Sequence, residues 1–211
     1  MIIDLSQSIN SDIKLYPGSP NVSFLKWSKY SIDGYDSEAI FLSTHTGTHM
    51  DAPSHFIKGA EPIDIIDVNR FVMDNVHLLK ISKSSNQLIT TEDIINSNTD
   101  IKENDSIILS TGWEHNYNSA DYMSSNPGLS PDAATYLSNK QINAVAIDSP
   151  SIDSGMESKF PVHQILLKND VIIIENICNL TQINKKILKL IAIPLKLQGA
   201  TGSPIRALAI I

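Results

Sequence analysis

The chain has 211 residues, with 16 Lys and Arg against 23 Asp and Glu, for a formal net charge of −7 at pH 7. That length suits one domain with a sizeable core, and 42% hydrophobic with 18% charged residues is globular composition rather than disorder. The acidic balance argues against binding driven by phosphate neutralisation, whether on nucleic acid or on an anionic membrane surface.

In chain order, residues 1–10 carry no basic segment followed by an apolar stretch, so no secretory signal is expected. Ile40–Thr44 is rich in strand formers, and Val76–Ile81 alternates loosely between apolar and polar. Ser106–Leu109, Ala144–Ile147 and Val171–Ile174 read as buried strands, and Ile205–Ile211 as one more. Apolar runs such as Val171–Ile174 and Ala207–Ile211 fall far short of the ~18 residues of a spanning helix.

Short helices are predicted at Thr91–Ile95, after Ser130-Pro131-Asp132, and over Phe160–Leu167; Ser130 is a natural cap and Pro131 a natural first turn. The polar stretch Ser110–Pro131, with the turn formers Asn126-Pro127-Gly128, predicts a long surface loop. Strands separated by short helices give an α/β domain with a mixed sheet. No repeat or linker divides the chain, so residues 1–211 are expected to form a single domain. The single cysteine, Cys178, cannot close an intramolecular disulfide and reads as a reduced core residue, consistent with a cytoplasmic protein. His77 reads as a strand surface residue and His115 as a loop residue. Trp27 and Trp113 suit core or interface, and Arg206 could pair with a carboxylate or a substrate anion.

The stretch that carries chemistry is His45-Thr-Gly-Thr-His49-Met-Asp51-Ala-Pro-Ser-His55, which places three of the six histidines and a carboxylate within eleven residues. Histidine is a common ligand for divalent metals, and aspartate adds charge and an oxygen able to bridge two ions. Gly47 between two threonines makes a helix unlikely to persist there; a strand end turning at Gly47 fits better, with the backbone curving around an ion. His49 and Asp51, two residues apart, then share a face if that piece is extended. Pro53 biases Ala52 away from helix. His55 lies close enough to reach the same centre without ligating it. His163, near the start of the helix that Pro161 begins, and Glu175, at the end of an apolar strand, are candidates for further ligands, since an ionised carboxylate there is costly without a cation or a cavity.

The pattern H-x-G-T-H-x-D-x-P-x-H resembles the signature of the metal-dependent cyclase family, which includes bacterial kynurenine formamidases, isatin hydrolases and proteins named as polyketide cyclases. The resemblance extends to Ile3-Asp-Leu-Ser6 with Tyr16-Pro17-Gly18, to Ser110-Thr-Gly-Trp113, to Phe160–Leu167, to Ile174-Glu175-Asn176 and to Gly202-Ser-Pro-Ile-Arg206. It implies a swivelling β/α/β fold with few short helices and a homo-oligomer, a dimer or larger. By position it implies His45, His49 and Asp51 as ligands of a first metal, and Asp51, His163 and Glu175 as ligands of a second. His55 matches the family's catalytic histidine, and Tyr16 stands in the substrate-binding position where formamidases typically place Trp. Zinc is the expected metal, two ions per subunit, with manganese as the alternative.

The implied activity is hydrolysis of a small amide or formamide, as in arylformamidase, which converts N-formylkynurenine to kynurenine and formate in tryptophan catabolism. Glu175 leans toward this arrangement. The competing readings are an isatin-type or lactone-type ring hydrolase or a cyclase on the same ions, and a metal-binding protein without turnover.

Overall fold

The computed structural model describes residues 1–211. Its strands are β1 (Ile2–Asp4), β2 (Ser23–Ser28), β3 (Ser37–Phe41), β4 (His49–Asp51), β5 (Val72–Lys80), β6 (Leu88–Ile89), β7 (Ser106–Ser110), β8 (Gly128–Leu129), β9 (Ala144–Ile147), β10 (Ile172–Glu175), β11 (Ile187–Pro194) and β12 (Gly202–Ile210). The helices are α1 (Tyr30–Asp33), α2 (Thr91–Asn96), α3 (Pro131–Asn139) and α4 (Pro161–Lys168). The main sheet runs β1-β12-β11-β5-β7-β9-β10-β4, and a further pairing of β12 with β4 closes it into a barrel. Strands β5, β7, β9 and β10 are mutually parallel, whereas β4, β11 and β12 join antiparallel. The domain is therefore mixed α/β with few short helices.

The period-2 alternation of strands sorts each apolar run onto two sides. Ile108, Ala144, Ala146, Ile172 and Ile174 pack inside the barrel with Met50, Leu190 and Ala207. Their neighbours Ile107, Leu109, Val145, Ile147 and Ile173 face outward and are covered by Ala133 and Leu137 of α3 and by Val162 and Leu166 of α4. Burial on both sides is why these strands read as near-continuous apolar runs. Helix starts follow local capping: Ser130 Oγ accepts from Ala133 N, and Thr90 with Asp93 forms a reciprocal capping box before α2.

Strands β2 and β3 pair only with each other and stand away from the barrel, leaving Phe24, Leu25, Trp27, Ile40 and Phe41 exposed. Trp27 is thus 80% exposed on this hairpin, whereas Trp113 is core at 4%.

Three expectations need correction. Residues 110–131 run over the surface only in part: 114–121 are exposed or half-buried, but the stretch holds a 3-10 turn at Trp113–Asn116 and strand β8, and buries Trp113, Tyr122, Asn126 and Leu129. Those apolar side chains draw the segment inward, and the indole N–H of Trp113 donates to Tyr122 O at 3.0 Å. His77 is buried rather than superficial, because Asp105 lies 2.9 Å from its Nε2 and satisfies it. Cys178 is half-buried at the edge of the core rather than within it.

Candidate metal centre

The register of β4 against β10 builds the site. Glu175 pairs with His49 and Ile173 with Asp51. Met50 and Ile174 point into the barrel, so His49, Asp51 and Glu175 share its outer face, beneath the start of α4. Gly47 adopts φ +63° just before β4, a left-handed conformation that glycine takes without penalty. Ala52 is extended (φ −88°, ψ 157°) ahead of Pro53, as the proline requires.

Five donors converge. His45 Nδ1 lies 2.7 Å from Asp51 Oδ1, and His49 Nε2 is 3.5 Å from the same oxygen and 3.3 Å from Glu175 Oε2. His163 Nε2 is 3.4 Å from Asp51 Oδ2 and 3.1 Å from Glu175 Oε1. The ligand atoms of His45, His49 and Asp51 all lie within 4.8 Å of one another, as do those of Asp51, His163 and Glu175. Asp51 is the member common to both trios.

The outer nitrogens are fixed. His49 Nδ1–H donates to Gly47 O at 2.8 Å, and His163 Nδ1–H donates to Asp153 Oδ2 at 2.6 Å. Each bond leaves Nε2 facing the carboxylates, the arrangement that orients a metal-ligating imidazole. Asp153 also accepts the backbone N–H groups of Val162 and His163, tying the first turn of α4 to the same carboxylate. Gly202 makes room for His45: a Cβ there would sit 2.6 Å from His45 Cε1.

The electrostatics call for a cation. Burial alone would lower the His49 pKa, but the Glu175 hydrogen bond and the charges of Asp51 and Glu175 raise it to about 9. His163 is likewise raised well above its ordinary value against burial, by Asp153, Asp51 and Glu175. Asp51, although buried, is held well below the usual carboxylate range by His163 and His45. Two buried carboxylates therefore demand positive charge, which imidazole protons or a bound cation can supply. One oxygen stays unmatched: Asp51 Oδ2 is buried and has no hydrogen-bond partner, its contact with His163 being a long one. Three imidazoles, two carboxylates and an orphaned oxygen fit a divalent cation.

The centre forms the floor of a cavity of about 300 Å³, at the lower end of ligand-site volumes. Tyr16, Phe56, Phe160 and Met123 form its apolar wall, and Lys14 and Asn176 bring polar groups to it. Tyr16 and Phe160 rings are 6.2 Å apart, and Phe56 and Phe160 5.5 Å. Phe160 holds φ +51°, an unfavourable state for a bulky residue, as the residue before α4. His45, His49 and His163 all have hydrogen-bonded ring nitrogens. His55 instead meets its neighbours through ring contacts, stacked on His45 at 3.9 Å and edge-on to Phe56 at 4.6 Å. Burial lowers its pKa to about 4, so the ring is neutral at pH 7.

The structure thus brings together all the residues singled out in the sequence as ligands, with His55 and Tyr16 on the cavity wall. His115 is exposed, and Arg206 pairs with Asp4 on the surface at 2.7 Å. Asp153, Phe56 and Lys14 escape sequence reasoning, and Phe160 and Asn176 stand in resembling motifs without a role assigned; only the carboxylate ten residues before His163 offers a signal. A larger hollow of about 730 Å³ opens elsewhere, lined by Lys80, Lys102, Lys185 and Lys186. Its buried His77–Asp105 pair is satisfied, so size alone does not make it the site.

Fold and centre together define an α/β barrel with a candidate metal centre, and its relatives mark the class as hydrolase. A family model described as "Putative cyclase" matches residues 3–154. A kynurenine formamidase of Bacillus thuringiensis (strain Al Hakam) is 31% identical, covering 97% of this chain and 95% of its own length. An isatin hydrolase of Roseibium aggregatum is also 31% identical, covering 92% of this chain and 82% of itself. A crystal structure of an isatin hydrolase bound to the product analogue thioisatinate superposes with a TM-score of 0.89 at 29% identity, covering 100% of this chain and 92% of that one. The chain belongs to the cyclase family.

Proposed function

We propose that residues 1–211 act as one hydrolase unit that cleaves the carbonyl–nitrogen bond of a small aromatic amide or formamide, N-formylkynurenine being the first candidate. The observation that carries this reading is the buried, unpartnered Asp51 Oδ2 among His49, His163 and Glu175, under an aromatic wall. The similarity to kynurenine formamidases over nearly the whole chain supports it.

His45, His49 and Asp51 would hold one divalent ion and Asp51, His163 and Glu175 a second, with zinc favoured over manganese. Such cations supply the positive charge that polarises a carbonyl and acidifies water. Tyr16, Phe56 and Phe160 seat the flat part of the substrate and exclude water from the floor. Asn176 lines the cavity and its Oδ1 accepts from Tyr122 OH at 3.0 Å, so its amide N–H group is free to serve as an orienting donor. His55, neutral at pH 7, takes a proton from the attacking water on a ring nitrogen and returns it to the leaving nitrogen. A free base of this kind is superfluous in a purely structural ion site, which argues against a non-catalytic protein.

The bound product analogue in the structurally similar isatin hydrolase supports a second reading, hydrolysis of a cyclic amide at the same centre. Assays of N-formylkynurenine and isatin, with and without chelator, separate the two. Chelator-sensitive release of formate supports the first reading, and chelator-sensitive opening of isatin alone supports the second. Hydrolysis that survives removal of the ions overturns both. A homo-oligomer in the cytoplasm belongs to the same reading: the exposed apolar side chains of the β2–β3 hairpin support self-association.

A further inference from the structure

Lys14 brings to the cavity a charge that the hydrolytic machinery does not use. It is half-buried and lines the wall beside Tyr16. Its backbone N–H donates to Tyr117 OH at 3.3 Å and its Nζ donates to Ser119 O at 2.5 Å. These bonds pin Lys14 to the 117–119 segment; no carboxylate lies within salt-bridge distance of the ammonium, and Asp121 acts on it only at longer range. Asp121, in the same stretch, is exposed and accepts from the Ser119 hydroxyl instead. An ammonium group has three N–H donors, so two remain for a ligand.

Half-buried and in direct contact with no carboxylate, the ammonium is available to an anionic ligand. Around it the wall is flat and apolar, through Tyr16, Phe56 and Phe160, and the volume of about 300 Å³ suits a molecule built on one ring system. The cavity therefore has acidic groups at its floor, aromatic rings along its side and a lysine in its lining.

We propose that Lys14 is a specificity-determining residue that selects substrates whose aromatic portion carries an anionic substituent such as a carboxylate. This rests on the reading of the cavity as the substrate site, and it adds the substrate's charge. Lys14 acts in binding and orientation and takes no part in the proton transfers.

The test uses the purified, metal-loaded enzyme and two near-isosteric probes, benzenesulfonate and methyl phenyl sulfone, titrated by calorimetry. Sulfonate is a weak metal ligand, so the ions contribute little to the difference. Wild type is expected to bind the sulfonate about tenfold tighter than the sulfone, as a charge-assisted hydrogen bond implies. Lys14→Gln abolishes the preference and Lys14→Arg keeps it. In wild type, raising the salt from low millimolar to molar weakens sulfonate binding and leaves the sulfone unchanged, a result that needs no variant to fold. Equal affinity for the two probes, or a preference that persists in Lys14→Gln, overturns the proposal. Hydrolysis of formanilide against its ring-carboxylated derivative keeps this separate from the parent reading. Lys14-dependent anion binding without turnover of either formamide upholds Lys14 and sinks the formamide assignment. Equal turnover of both by wild type upholds the hydrolase and sinks Lys14.

Discussion

His77 and Asp105 meet at 2.9 Å beneath the larger hollow, and His163 and Asp153 meet at 2.6 Å beside the smaller one. Both pairs are buried, and both carboxylates also accept backbone N–H bonds, Asp105 from Lys102 and Asp153 from Val162 and His163. They part at the second ring nitrogen. His163 Nε2 faces two further carboxylates, Glu175 at 3.1 Å and Asp51 at 3.4 Å, and one of those oxygens is unsatisfied. His77 faces no further carboxylate. A histidine–carboxylate pair is structural when it closes on itself, and becomes a ligand when it is the outer support of a ring aimed at surplus negative charge.

Substitutions sharpen that contrast. The largest effect falls on the residue whose ring lacks a hydrogen-bonded support, His55: His55→Ala retains its ions by elemental analysis and loses about 10²–10⁴-fold in kcat. Loss of the metal instead would make His55 a ligand. Asp153→Asn, which weakens the support of His163, lowers metal affinity by about 10–100-fold in a competitive chelator titration. In the other pair, removing the histidine by His77→Ala costs about 1–3 kcal/mol in denaturant unfolding and leaves kcat and metal content within about twofold. A drop in metal content in that variant would erase the distinction between the pairs. The smallest effect concerns Cys178, whose thiol is pushed up to about 11, chiefly by burial. At pH 8 its labelling by a disulfide reagent runs about a hundredfold slower than that of free cysteine, and modification leaves turnover unchanged.

Much of this was legible in the chain because the chemistry is local. His49-x-Asp51 shares a face once β4 is extended, and Gly47 and Pro53 fix the backbone on either side of it. The apolar runs marked β7, β9 and β10 because each is buried on both sides of the barrel wall. What stayed hidden depends on long-range pairing. The closure of β12 on β4, which sets Gly202 opposite Asp51 and brings His45 against it, joins residues 151 positions apart (202 − 51) without a periodic signal. The aromatic wall was hidden for the same reason, since Phe56 and Phe160 meet only after α4 docks over the strand ends. His77 was misread because a polar residue in a loosely alternating strand looks superficial until Asp105 is seen beside it.

On the proposed function, this crowd of donors on the outer face of the barrel holds a cation. Anomalous diffraction from crystals of the purified protein, recorded on both sides of the absorption edge of the metal found by elemental analysis, tests it most directly. A strong peak is expected among Asp51 Oδ2, His163 Nε2 and Glu175, with a second beside His45 and His49. Stoichiometric metal with its peak elsewhere, or purified active enzyme with no peak at Asp51, would contradict it.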